Sequence, residues 1–178
     1  MIMLTIRPAT PTDASVIVHC IRLLAEYERE PDAVRATEAD ILRYGFSEDK
    51  VFDCLIAEWE HDGVRSVVGF ALYFFNYSTW EGRPGLYLED LFVFPTMRGK
   101  GIGKALLVEC AKIAVKKNCA RFQWQVLDWN TPAIDFYTSL GAQQLTEWIT
   151  CRVEGDALHA LSAKDTYHDS AQNDRATE

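Results

Sequence analysis

Two neighbouring stretches carry side chains whose types and spacing could do chemistry. The first is Arg98-Gly99-Lys100-Gly101-Ile102-Gly103-Lys104. Glycines let successive backbone N–H groups turn toward one point, and a following helix N-terminus adds partial positive charge. Three basic side chains strengthen that field, so a diphosphate is the natural guest. The competing reading is a flexible turn with solubilising charges. A Walker A loop is excluded, because Ala105 follows Lys104 where a magnesium-binding Ser or Thr is required. The dinucleotide fingerprint fails too, since Lys104 breaks its glycine spacing. The second stretch, Leu86 to Phe94, is an apolar run holding two adjacent carboxylates, Glu89 and Asp90. Strand alternation puts these on opposite faces. If the strand is covered on both sides, at least one carboxyl is desolvated and its pKa rises. If one face is wet, that carboxylate simply points outward.

The elements that must position these residues are legible as patterns. Met1 to Arg7 reads as a strand closed by Pro8. Thr10-Pro11-Thr12-Asp13 is a helix start, and Ile17, Cys20, Ile21, Leu24 and Tyr27 mark one helical face. Thr37 to Asp40 opens a short helix that Gly45 can close. Phe52 to Trp59 and Val64 to Tyr77 read as strands joined by an Asp62-Gly63 hairpin turn. Leu86 to Phe94 is a third strand of this set, followed by a helix through Ile102, Leu106, Cys110 and Ala114. Phe122, Trp124 and Val126 alternate as a strand. Thr131-Pro132 starts a short helix that Gly141 ends, and Gln144 to Val153 reads as a final strand. The order predicts an α/β (α+β) fold, a mixed central sheet flanked by helices. Residues 1–161 form the domain and residues 162–178 a polar tail, in which Tyr167 is the large apolar residue.

Composition narrows the function classes. At 178 residues the chain fits one domain, and 48% hydrophobic with 25% charged residues excludes wholesale disorder. A net charge of −8 argues against nucleic acid and leans toward a cationic partner. The longest apolar run, Val67 to Phe75, is about half of the ~20 residues a membrane helix needs, so no membrane partner is expected. Arg7 and Pro8 interrupt the apolar start, which gives no signal peptide. Five cysteines without a CxxC pair read as reduced core residues of a cytoplasmic protein. The four histidines show no ligand spacing, and no metal is expected.

The loop has the R-x-x-G-x-G pattern of the GCN5-related N-acetyltransferases (GNAT), and the resemblance spans about residues 4 to 150. Ile6-Arg7-Pro8-Ala9, Val68-Gly69-Phe70-Ala71, Tyr87-Leu88-Glu89-Asp90, Val126-Leu127-Asp128-Trp129-Asn130 and Phe136-Tyr137 with Leu140-Gly141 are similar to the diamine (spermidine/spermine) and thialysine N-acetyltransferase branch. The glycine motif names only the superfamily, whereas the Tyr-Leu-Glu-Asp and Asp-Trp-Asn blocks are more specific.

The resemblance implies acetyl transfer from acetyl-CoA to a primary amine of a small diamine, polyamine or lysine analogue, by a homodimer. Leu91, Phe92 and Val93 would pair with the pantetheine arm. Arg98, Gly99, Lys100, Gly101, Ile102, Gly103 and Lys104 would hold the pyrophosphate, with Asn130 fixing the cofactor at the second strand–helix junction. Glu89 matches the base that takes the amine's proton, and Tyr137 the acid that protonates the departing thiolate. Without the resemblance, Tyr137 reads as an amphipathic aromatic packing with Phe136. Substrate-side candidates are Tyr27, Glu28, Ser78, Trp80, Glu89 and Asp90. Ser78 stands where the spermidine branch has an acid, and Tyr77-Ser78-Thr79-Trp80 looks like the thialysine branch. Glu147 and Trp148 are adjacent where relatives separate a similar pair. The rival readings are an acetyltransferase for another amine (amino acid, aminoglycoside or protein) and a non-catalytic acyl-CoA-binding module.

Overall fold

The structure is a computed structural model that describes residues 2–164; Tyr167 and the rest of the tail from 165 lie outside the described residues. The chain divides into two compact units, Met1–Leu127 and Asp128–Glu178.

The first unit is a five-stranded sheet in the order β1(Ile2–Pro8), β2(Asp53–His61), β3(Val64–Ser78), β4(Arg83–Val93) and β5(Arg121–Gln123). The first three pairings are antiparallel and β4–β5 is parallel. A parallel pair requires a crossover, and α3(Ile102–Lys116) supplies it. The β2–β3 hairpin turns on Asp62 (φ 51°) and Gly63 (φ 78°), both left-handed, which matches the twist of paired strands.

Alternation along the strands builds two cores. On one face Cys54, Ile56, Phe70, Leu72 and Phe92 meet Ala14, Ile17, Val18 and Cys20 of α1(Ala14–Tyr27) and Ile41 of α2(Glu38–Phe46). On the other, buried Leu55, Ala57, Ala71, Tyr73, Leu86 and Leu88 face α3, which contacts all five strands and buries Ile102, Leu106, Leu107 and Cys110. Thr37 and Asp40 close a reciprocal capping box at the start of α2. Gly45 does not end that helix. It lies inside the last turn, where an added Cβ would stand 2.8 Å from the Phe52 ring, so close packing explains the glycine.

Arg7 ties β1 to β2 and α1. Its guanidinium donates to both Asp13 oxygens at 2.8 Å and its Nε to Glu58 at 2.9 Å. Both carboxylates are buried, and the pairing makes that burial tolerable.

The second unit holds α4(Thr131–Ser139) and α5(Gly155–Ser162). Here the sequence reading needs correction. Gln144 to Val153 is not a strand: it is irregular, with Trp148 and Ile149 strongly exposed. An alternating pattern forms a strand only where another strand completes its hydrogen bonds, and none of the described strands does so. α5 follows without having been anticipated. β5 also stops at Gln123, short of Trp124 and Val126. Cys20, Cys54 and Cys110 are core residues, but Cys151 is exposed.

Candidate active site

The glycine loop leaves the end of β4 through a short 3-10 turn, Pro95–Met97, and runs into α3. Gly99 (φ 76°) and Gly101 (φ 79°) are left-handed, a conformation side chains other than glycine's resist. A Cβ at either position would meet nothing within 4 Å, so the backbone here is open to a ligand. Gly101 is the N-cap of α3 and offers no side chain to its first-turn amides, and that turn has no acidic residue. Uncapped N–H groups plus the helix dipole make an anion site. Buried Ile102 anchors it to the core.

Two loop cations are held by aromatic rings. The Arg98 guanidinium lies 4.7 Å from the Tyr27 ring centroid and 5.8 Å from that of Phe92, while its Nε donates to the Val93 carbonyl at 3.1 Å. Lys100 Nζ sits 5.3 Å from the Trp59 centroid. Trp59 was not a candidate from sequence; it reads there only as the end of a strand, and ring–cation contact is a tertiary property.

Beside the loop, β4 outruns its neighbour. β5 pairs with Gly85, Leu86 and Tyr87 and then ends, whereas β4 continues to Val93. Leu91, Phe92 and Val93 pair with Ala71, Phe70 and Gly69 on the β3 side. Among the described residues no strand pairs with their other edge. Such an edge accepts an extended ligand as an added strand.

The carboxylates sit at a break in register. Leu72 pairs with Asp90 while its neighbour Tyr73 pairs with Leu88, so Glu89 is an inserted, unpaired residue of a β-bulge. The alternation that would put Glu89 and Asp90 on opposite faces therefore fails at this residue. Asp90 joins the α1 face of the sheet instead of continuing the face of Leu88. Burial pushes its carboxyl up to about 7, with the charges of Glu89 and Glu28 adding to the rise. Burial also raises the carboxyl of Glu28. Glu28 is fixed by the close of α1, where Arg29 N bonds Glu26 O and Glu30 N bonds Ala25 O around a left-handed Arg29 (φ 67°). Two carboxyls whose charge is felt at a third, Asp90, make a negative site that suits a cation.

Ser78 and Trp80 do not join this cluster. Ser78 is buried, and its hydroxyl accepts from Glu81 N at 3.3 Å in the β3–β4 turn, next to an exposed Trp80. Ser78 lies six positions beyond Leu72 along β3, roughly 20 Å of strand.

In the second unit Asn130 is the buried N-cap of α4, its side chain accepting from Ala133 N at 3.4 Å. Tyr137 lies near the end of that helix, half-buried, its ring 5.3 Å from Phe136.

The acetyltransferase (GNAT) family matches residues 19–142. The thialysine N-epsilon-acetyltransferase of Sus scrofa is 43% identical over 172 residues, covering 92% of this chain and all of that protein. An L-ornithine N5-acetyltransferase of Arabidopsis thaliana is 48% identical over 95 residues, 53% of this chain and 42% of that one. Among solved structures, an integron cassette protein from the mobile metagenome of V. cholerae superposes with TM-score 0.74 at 30% identity, covering 90% of this chain and 98% of that one.

Proposed function

Since the chain belongs to the acetyltransferase (GNAT) family and is an N-acetyltransferase, we propose that it moves an acetyl group from acetyl-CoA to a primary amine of a short diamine or lysine analogue such as thialysine. Bound acetyl-CoA supplies the activated acetyl group. The residues present suit it: left-handed glycines with open Cβ positions and an uncapped α3 N-terminus fit a diphosphate, and the unpaired edge at Leu91–Val93 fits the amide-bearing arm. Gly99 to Lys104 and Arg98 would hold the phosphates, and Asn130 would help fix the cofactor.

The observation that carries the amine reading is the carboxyl group cluster at the β4 bulge. An amine with pKa ~10 arrives protonated and cannot attack until it loses that proton. Glu28 and Asp90 meet the cation, and Glu89 takes the proton, through water. Tyr137 returns a proton to the departing sulfur. A phenol near pKa ~10 donates to a thiolate near ~8.5 with help from its surroundings.

The cluster favours short amines. A long polyamine carries a distant cation, and the residue that resembles its partner, Ser78, is a buried hydroxyl engaged with Glu81 N. A homodimer and a cytoplasmic setting belong to this proposal as well. Among the described residues no helix is long and apolar enough to cross a membrane.

The test is acetyl-CoA-dependent thiol release across thialysine, ornithine, diaminopropane, putrescine and spermidine, with product identification by mass spectrometry. The expected order places thialysine or ornithine above spermidine in kcat/KM. Spermidine in first place would refute the short-amine assignment, and release with none of them would refute the substrate class.

A further inference from the structure

We infer that Arg121 binds the α-carboxylate of the acceptor, so that the substrate is an ω-amino acid of lysine length rather than a plain diamine. The inference rests on the amine reading above and decides between the two substrate classes which that reading leaves open.

Asn76, Gly85 and Arg121 stand side by side across β3, β4 and β5. Directly opposed residues share a face of the sheet. The glycine lets the three meet: a Cβ at Gly85 would collide with Asn76 Oδ1 and stand 3.1 Å from Arg121 Cγ and 3.3 Å from its Nε. The Arg121 side chain therefore crosses β4 through the gap that Gly85 leaves, toward β3. Its guanidinium makes no hydrogen bond or ion pair with another described residue. Asn76 Oδ1 is buried in the same row, again without a hydrogen-bond partner among the described residues. The row thus holds a cation and an acceptor that the described fold does not itself use.

This row shares its face with the carboxyl cluster. The inserted residue belongs to β4, so β3 alternates regularly and Leu72, Phe74 and Asn76 point the same way. Leu72 stands opposite Asp90, Phe74 opposite Tyr87 with ring centroids 5.1 Å apart, and Asn76 opposite Gly85. The core under α1 takes in Leu72 but neither Phe74 nor Asn76. One face therefore runs from the acidic groups at the bulge, over two half-buried rings, to an exposed arginine.

That series complements a molecule with an ammonium at one end, an apolar or thioether chain between, and a carboxylate at the other. Leu72 to Asn76 is four positions, roughly 13 Å of strand. A lysine-length chain spans about 7 Å from its terminal nitrogen to its carboxylate at ordinary bond lengths. The acidic and arginine side chains cover the rest, and a guanidinium pairs with a carboxylate through two parallel hydrogen bonds. A diamine brings a second cation to Arg121 instead, and like charges repel, so the arginine selects against it.

The experiment measures kcat/KM for thialysine and for its decarboxylation product, a diamine with the same thioether chain. Wild type is expected to prefer thialysine. Arg121→Gln should lower the thialysine-to-diamine ratio about 5- to 20-fold, the scale of one charge-assisted contact at a partly solvated site. Arg121→Lys keeps the charge and should retain part of the preference. Calorimetry with acetyl-CoA establishes that each variant is folded. Should a variant fail that check, wild type decides alone through thialysine carboxamide, whose neutral amide should cost the same about 5- to 20-fold. A ratio unmoved by Arg121→Gln, or a wild type that takes the diamine or the carboxamide as well as thialysine, overturns the inference and leaves amine acetylation standing. Wild type that acetylates none of the three refutes the proposed reaction, and this inference with it.

Discussion

Asp90 stands opposite Leu72 across the β3–β4 pair, although Leu88, two residues earlier, stands opposite Tyr73. One inserted residue, Glu89, accounts for the shift. It turns a carboxyl onto the face where α1 packs and raises its affinity for a proton.

That proton gives stability a pH dependence. Unfolded, the Asp90 carboxyl titrates near ~3.9; folded, it holds its proton up to about 7. Between these values the folded state binds more protons, so stability falls as pH rises and the penalty is complete above about 7. Asp90→Asn is expected to unfold at the same urea concentration as wild type at low pH, below the window. Above it, the variant should be more stable, by on the order of 2–4 kcal/mol. A wild-type advantage above the window would show that the charged form is the stabilised one.

Arg7 gives the opposite slope. Its hydrogen bonds pull the Asp13 carboxyl down to about 2, so that stabilisation is present above the unfolded pKa of ~3.9 and is lost as pH falls toward the folded value. Arg7→Ala leaves buried Asp13 and Glu58 without their shared guanidinium. The expected cost at neutral pH is about 3–5 kcal/mol by urea denaturation, shrinking in acid. A cost under ~1 kcal/mol would mean solvent replaces the arginine.

Two left-handed residues should respond in opposite directions to exchange between glycine and a side chain. Arg29 (φ 67°) adopts that conformation with a Cβ, so Arg29→Gly is expected to stabilise the fold by about 1 kcal/mol. Gly101 (φ 79°) has open space around it yet the same backbone constraint. Gly101→Ala should cost about 1 kcal/mol and weaken acetyl-CoA binding. Thermal midpoints and calorimetry on both variants check the pair; equal signs would contradict it.

Local patterns disclosed much of this. The Ile17–Cys20–Leu24 periodicity and the Thr37–Asp40 capping box appear in the structure as read, because both arise within one element. The bulge was not readable, since Leu86 to Phe94 looks like an uninterrupted strand and its insertion is decided by pairing with β3. Gln144 to Val153 erred the other way: its β-like composition carries no information about whether a partner strand exists. Trp59 under Lys100 and Tyr27 under Arg98 belong to the tertiary structure alone. The glycine loop was legible because its chemistry is local.

In the proposed reaction Glu89, the β4 carboxylate at the bulge, takes a proton from a bound amine during acetyl transfer. That step is tested most directly by thiol release from acetyl-CoA with saturating thialysine, comparing wild type with Glu89→Gln while acetyl-CoA affinity is followed by calorimetry. Active wild type, with Glu89→Gln slower by ~10²-fold or more and acetyl-CoA affinity unchanged, is the result expected for a positioned base. Equal turnover in the two proteins would contradict it.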